Sequence, residues 1–161
     1  MSQYMCFYIK NDNNSGYTYL SSFSSSHCIY GALEGYCSEY GKCSVITNER
    51  LKYAIGDINE EISNLEKLIK RDEKMIEHLR LMTQDVNELI DSIYQYEASI
   101  EDSKEDIEHR KAALIILYYF QDLNEKDSFN EDCKRIYAGI DAPMPETIDE
   151  ETEDASKEEN E

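Results

Sequence analysis

The residues best equipped for chemistry crowd into the first third of the chain, where Cys6, His27, Cys28, Cys37 and Cys43 offer four thiols and an imidazole. Thiolate and imidazole are the usual ligands of structural zinc, but tetrahedral sites draw them in closely spaced pairs. No Cys-x-x-Cys knuckle occurs, and Cys37 and Cys43 have five residues between them. The spacing favours small thiols filling a tight core over a metal centre. A Cys28 nucleophile would need a base in reach, yet His27 is its sequence neighbour, and adjacent side chains on a strand or helix point in different directions. The serines between Ser21 and Ser26 form no Gly-x-Ser-x-Gly elbow, and no glycine-rich phosphate loop is present. Farther along, His78 is surrounded by Lys74, Arg80 and Met82. His109 has Glu105 four residues before it, and one carboxylate with one imidazole is too little for a metal site. The chain therefore reads as non-enzymatic, with no cofactor and no metal.

These residues need elements to hold them. Met5–Ile9 and Tyr17–Leu20 are rich in strand formers and flank the turn cluster Asn11–Gly16, which predicts a β-hairpin. Ser24 to Ser26 could cap a brief helix through Ile29, Ala32 and Leu33, ended by Gly35 in the left-handed conformation. Cys43–Ile46 reads as a third strand. The outcome is a ββαβ unit over residues 1–47, small enough to lean on the helices after it. Eight of the thirteen tyrosines fall within the first 53 residues. They could form a recognition surface, although half-buried strand positions are the commoner use of such residues.

The strongest pattern begins after Thr47. Glu49 suits the positive end of a helix, and Ile46 with Leu51 sets a hydrophobic staple. From there a seven-residue repeat runs to Tyr118 without proline and with no glycine after Gly56. The predicted seam comprises Ile55, Ile58, Ile62, Leu65, Ile69, Ile76, Leu79, Val86, Ile90, Ile93, Ile100, Ile107 and Leu114, bracketed by Leu51 and Tyr118. Its polar interruptions are Asp72, Thr83, Glu97, Lys104 and Lys111. Polar core residues can fix register or partner at some cost in stability. A single dimerising rod would satisfy the repeat, but the neighbouring Leu68, Met75, Met82, Leu89 and Tyr96 widen the stripe beyond a two-stranded seam. The run Ala112–Phe120, apolar on every side, would also lie far from the N-terminal unit in a rod. Both facts favour an antiparallel helical hairpin over residues 48–122, with a bend near 82–85, Thr83 as cap and Asp85 in the first turn of the second arm. Its spare apolar face suggests a homodimer in which two hairpins form a four-helix bundle. Ser128-Phe129-Asn130-Glu131 resembles a capping box, and Gly139 a stop, which predicts a short helix within 123–140 carrying Phe129, Cys133, Ile136 and Tyr137. The fold class expected is thus α+β, mostly α, closing on a disordered acidic tail over 141–161.

Composition narrows the function. The 161 residues carry 35 acidic against 16 basic side chains, a net charge of -19, and residues 141–161 alone hold ten acidic groups against one basic. Such a field repels nucleic-acid phosphate, so direct nucleic-acid binding is not expected. No apolar run approaches the 18 residues a membrane span requires, and Met1-Ser2-Gln3-Tyr4 lacks a secretory signal's basic and apolar regions. With an odd number of cysteines, five, the chain reads as cytoplasmic. Two functions remain. One is a protein-interaction or assembly protein whose hairpin is an oligomerisation or partner-docking scaffold, the partner being the chain itself or another protein. The other is an acidic inhibitor that imitates nucleic acid in the channel of a basic nucleic-acid-binding protein, as small anti-defence proteins of phages do.

Overall fold

A computed structural model of the protein describes residues 3–11, 16–37, 39–82, 85–125 and 136–145. The chain is mixed α+β and divides into two compact units, Met1–Ala54 with Leu117–Glu161, and Ile55–Ile116. In chain order the elements are β1 (Tyr4–Lys10), β2 (Tyr17–Ser24), α1 (Cys28–Leu33), β3 (Ser44–Val45), α2 (Asn48–Arg80), α3 (Val86–Glu125) and β4 (Ile136–Ile140), with a 3-10 turn over Glu34–Tyr36.

In the first unit, four antiparallel strands stand in the order β2-β1-β4-β3. The hairpin expected from the first twenty residues is present, with Asn11 N donating to Gly16 O at 2.8 Å and Gly16 at φ 98°. Residues 12–15 of its turn lie outside the described residues. The expected C-terminal helix is corrected where it can be seen: Ile136–Ile140 is a strand inserted between β1 and β3. Its β-branched and aromatic residues suit a pleated, buried position, and four of its five residues are buried. The capping-box residues 128–131 and Cys133 lie outside the described residues.

Gly139, read from the sequence as a helix stop, serves close approach instead. A Cβ there would stand 2.5 Å from both Ala142 Cβ and the Lys42 carbonyl oxygen. The tail boundary also moves. Asp141 N donates to Tyr4 O at 2.7 Å and Ala142 is buried, so the segment's first two residues pack against the sheet. Residues 146–161 lie outside the described residues.

Alternation along β1 sends Met5 and Phe7 to one face and Cys6 and Tyr8 to the other. The Phe7 ring lies 5.0 Å from that of Phe120 and 5.6 Å from that of Phe23. Ile29, Leu33, Ile46, Leu51, Leu117 and Ile136 are fully buried with Phe7, as one apolar core requires. On the second face Tyr8, Tyr17 and Tyr137 form a smaller cluster with Cys6, Cys43 and Val45 beside it.

Two cap readings change. His27, not a serine, caps α1 by accepting from Ile29 N at 3.1 Å through Nδ1. Gly35 sits in the 3-10 turn rather than in the left-handed region, where the described glycines are Gly16 and Gly41. Thr47 does cap α2, taking Arg50 N on its hydroxyl at 3.3 Å and Leu51 N on its carbonyl at 3.0 Å, while Ile46 and Leu51 are fully buried.

In the second unit α2 and α3 pack together as two arms of a helical hairpin. Asp85 performs the capping at the start of α3, its side chain accepting from Asn87 N at 3.1 Å. Thr83 lies outside the described residues.

Candidate functional site

The predicted seam divides at the bend. On α2, Ile55, Ile58, Ile62 and Ile76 are buried and Leu65, Ile69 and Leu79 half-buried. On α3, Ile100 and Ile107 are buried and Ile93 and Leu114 half-buried, but Val86 is 64% and Ile90 55% exposed. For Ile90 the reason is a change of rotational phase; Val86 shares the row of Ile93 and is exposed as the first residue of α3, beyond the end of α2. A repeat written straight through the connection assumes unbroken helix, whereas α2 stops at Arg80 and α3 restarts at Val86. After the restart the inward rows are Ile93, Ile100, Ile107, Leu114 and, beside them, Leu89, Tyr96, Ser103, Arg110, Leu117, all buried or half-buried. Glu97, Lys104 and Lys111 consequently fall outside the packed face. Lys104 and Lys111 instead pair with Glu101 at 3.5 Å and Glu108 at 3.4 Å, one turn back.

Among the described residues of the second unit, polar groups cross the hairpin at three levels. Asp72 is only 2% exposed and accepts from Ser99 Oγ at 2.9 Å, with Arg71 Nε 4.0 Å from its other oxygen. Arg110 Nε donates to Glu61 Oε2 at 2.8 Å. Both pairs have residue numbers summing to 171, so they fix one antiparallel offset between α2 and α3. Nearer the bend, Arg80 stands 3.9 Å from Glu97.

The phase change leaves a continuous outer row on α3. Val86, Ile90, Tyr94, Glu97, Glu101, Glu105 and Glu108 follow one another in steps of four or three, the spacing that aligns side chains on one helix face, and all are exposed. Tyr94 is 73% exposed, and Leu81 in the connection 82%. The row is apolar for about two turns and then acidic. Residues 85–108 carry nine acidic side chains against Lys104 alone. The outward side of α2 near the bend has the opposite sign, with Lys67, Lys70, Arg71 and Lys74 exposed.

Several groups singled out for chemistry in the first unit make structural contacts. Cys37 Sγ faces Ala138 O at 3.7 Å and Cys43 Sγ faces Pro143 O at 3.7 Å. Burial pushes the Cys37 thiol up to about 11 against a partial opposing pull from Arg50, which keeps it protonated and unreactive at neutral pH. Burial likewise raises Cys6, and pushes the Tyr8 phenol up to about 12, with Cys6 and Cys43 adding to the effect. Tyr8 donates to Ala142 O at 2.7 Å. Of the tyrosines, Tyr8, Tyr17 and Tyr30 are buried, Tyr4, Tyr19 and Tyr53 are exposed, and the exposed Tyr40 donates to Asp141 at 2.8 Å. Nor does any described helix have the length and apolarity to cross a membrane.

No protein-family model matches the chain, and no curated protein or solved structure matches it either. The α3 row is therefore interpreted on its own chemistry. Sequence reasoning assigned Val86, Ile90 and Glu97 to the seam and did not single out Tyr94, Glu101 or Glu108. The missing signal was the phase break, which the Asp85 cap, four residues before Leu89, encodes.

Proposed function

We propose that the protein is a non-enzymatic interaction protein whose helical hairpin docks a protein partner along the outer row of α3. The observation that carries this reading is the exposure of Val86, Ile90 and Tyr94 in helical register, continued by Glu97, Glu101, Glu105 and Glu108. Large apolar side chains aligned on one exposed helix face are the usual anchors of a helix-mediated interface, and a flanking charged row adds orientation and rate. The paired hairpin arms supply a stiff mount, which lowers the entropy lost on docking.

The test is quantitative affinity recovery from cells that make the protein, comparing wild type with the Ile90→Lys, Tyr94→Lys double variant. At least one protein, this chain or another, should be retained by wild type and lost from the variant. Identical recovered sets would refute the reading.

The acidic stretch favours a second reading, in which the glutamates replace phosphates in a basic nucleic-acid channel. Such a complex would dissolve steeply with added salt and would tolerate Ile90→Lys. An apolar docking row flanked by charge predicts loss of the partner with Ile90→Lys, and that variant separates the two readings.

A further inference from the structure

The α3 row has a counterpart on the same chain. Along the outward side of α2, Lys67, Arg71, Lys74 and His78 repeat in steps of four, three and four, and all four are exposed. Laid antiparallel to α3, this row meets it in register: Lys67 falls opposite Glu105, Arg71 opposite Glu101, Lys74 opposite Glu97 and His78 opposite Tyr94. These pairs sum to 171 or 172, so a single antiparallel offset serves the whole row. Leu81 then falls opposite Ile90, and both are exposed. Within a single chain the two rows cannot meet, because the arms already face each other through Asp72, Ser99, Ile76 and Ile100, whose side chains are buried or half-buried.

We infer that the partner docked on the α3 row is a second copy of this chain, which presents its α2 row, Lys67, Arg71, Lys74 and His78, to Glu105, Glu101, Glu97 and Tyr94. The inference rests on the reading of the α3 row as a docking surface and adds the identity of the occupant. Charge complementarity in register selects that occupant. The exposed acids of α3 have few basic neighbours of their own: Glu101 has Lys104 at 3.5 Å and Glu97 has Arg80 at 3.9 Å. Arg71 has the buried Asp72 at 4.0 Å. The Glu101–Lys104 and Glu97–Arg80 pairs, loose and solvent-exposed, exchange readily for intermolecular ones. Two α3 rows laid parallel would set glutamate against glutamate. The net charge of -19 works against association of copies in any arrangement that does not bring unlike rows together. The second copy continues the alternation of α2 and α3 at the same height, so apolar Leu81 and Ile90 meet at the bend end and charge pairs align toward the middle.

The experiment uses the purified full chain in light scattering and sedimentation over a range of concentrations, with two surface variants. One carries Lys67→Glu, Arg71→Glu and Lys74→Glu; the other carries Glu97→Lys, Glu101→Lys and Glu105→Lys. All six positions are exposed, and far-ultraviolet circular dichroism checks that the helices persist. Wild type should rise above its monomer mass of 18.8 kDa as concentration increases. Each variant alone should associate at least about a hundredfold more weakly, because like charges then face each other. Mixing the two variants should restore a 1:1 complex, because each retains the row the other has reversed. A wild-type chain that stays monomeric overturns the inference, as does a variant that associates like wild type or a mixture that fails to pair. Should wild type be monomeric while affinity recovery still yields another protein lost with Ile90→Lys and Tyr94→Lys, the docking reading survives and the identity of the occupant falls. Loss of both results removes both.

Discussion

Ser99→Ala should weaken the hairpin in a way that depends on Asp72. The Asp72 carboxylate occupies a seam position, is almost wholly removed from water and takes its close hydrogen bond from Ser99 Oγ at 2.9 Å, with the Arg71 guanidinium at 4.0 Å. A hydrogen bond to a charged group contributes about 1.5–3 kcal/mol, and deleting the donor leaves the carboxylate buried without that compensation. Ser99→Ala alone should therefore cost about 1.5–3 kcal/mol. Asp72→Leu removes the need for a donor and extends the apolar seam. Burying a leucine side chain returns about 1.5–3 kcal/mol, so this variant should be neutral or stabilising. In the Asp72→Leu background, Ser99→Ala should cost no more than about 0.5 kcal/mol, since a substitution away from any special contact lies within that range. The double-mutant cycle then yields a coupling of about 1–3 kcal/mol. Amide hydrogen exchange across Ile62–Ile76 and Ile93–Ile107 reads the hairpin directly, and urea unfolding supplies the global value. Equal cost for Ser99→Ala in the two backgrounds would refute the assignment of the Ser99 hydroxyl to Asp72.

The first unit yields further expected outcomes. Gly139→Ala places a methyl 2.5 Å from Ala142 Cβ and the Lys42 carbonyl, and should cost about 1–3 kcal/mol as an overpacked site; adding Ala142→Gly should recover only part, because the carbonyl remains. Asn124→Ala should cost about 1–3 kcal/mol, since this side chain donates to Ile46 O at 3.1 Å and accepts from Ile136 N at 3.1 Å, tying α3 to the approaches of α2 and β4; the urea midpoint measures it. Alkaline pH should unfold this unit progressively. Cys37 and Tyr8 hold their protons more tightly when folded, so the unfolded chain binds fewer protons as pH climbs past 9.0 and then 10.0, and the associated stability is lost on approaching about 11 and about 12. Tyr8→Phe should make the fall with pH shallower in circular dichroism; an unchanged slope would contradict a buried phenol.

The hairpin was legible because α2 obeys its repeat without interruption. Ile55, Ile58, Ile62 and Ile76 sit where a straightforward seven-residue count puts them, and Asp72 marks the level of a polar crosslink. The second arm was legible in kind but not in phase. Counting on through the connection brought Ile90 inward and turned Tyr96 into a flanking residue, because sequence periodicity carries no record of how a loop rotates the next helix. Fixing the origin at the Asp85 cap, four residues before Leu89, would have recovered it. The last strand was hidden for a different reason. Ile136 and Tyr137 fit the spacing of a short amphipathic helix after Ser128, and a five-residue strand has too few positions to reveal a period of two. Its signal was composition: isoleucine, tyrosine, alanine, glycine and isoleucine in succession, with proline soon after. Only long-range pairing decides between these readings, and Met5 with Ile140 or Phe7 with Ala138 is a partnership local sequence cannot announce.

The placement of β4 between β1 and β3 carries a temporal consequence. Tyr4 and Asp141, joined by a hydrogen bond of 2.9 Å, lie 137 positions apart. A ribosome must therefore finish both long helices before the middle of the sheet can be filled. Until then β1 exposes an unsatisfied edge to whatever else is nearby. Newborn chains are most vulnerable to wrong pairing during that interval, and truncations upstream of Ile136 would make the vulnerability permanent.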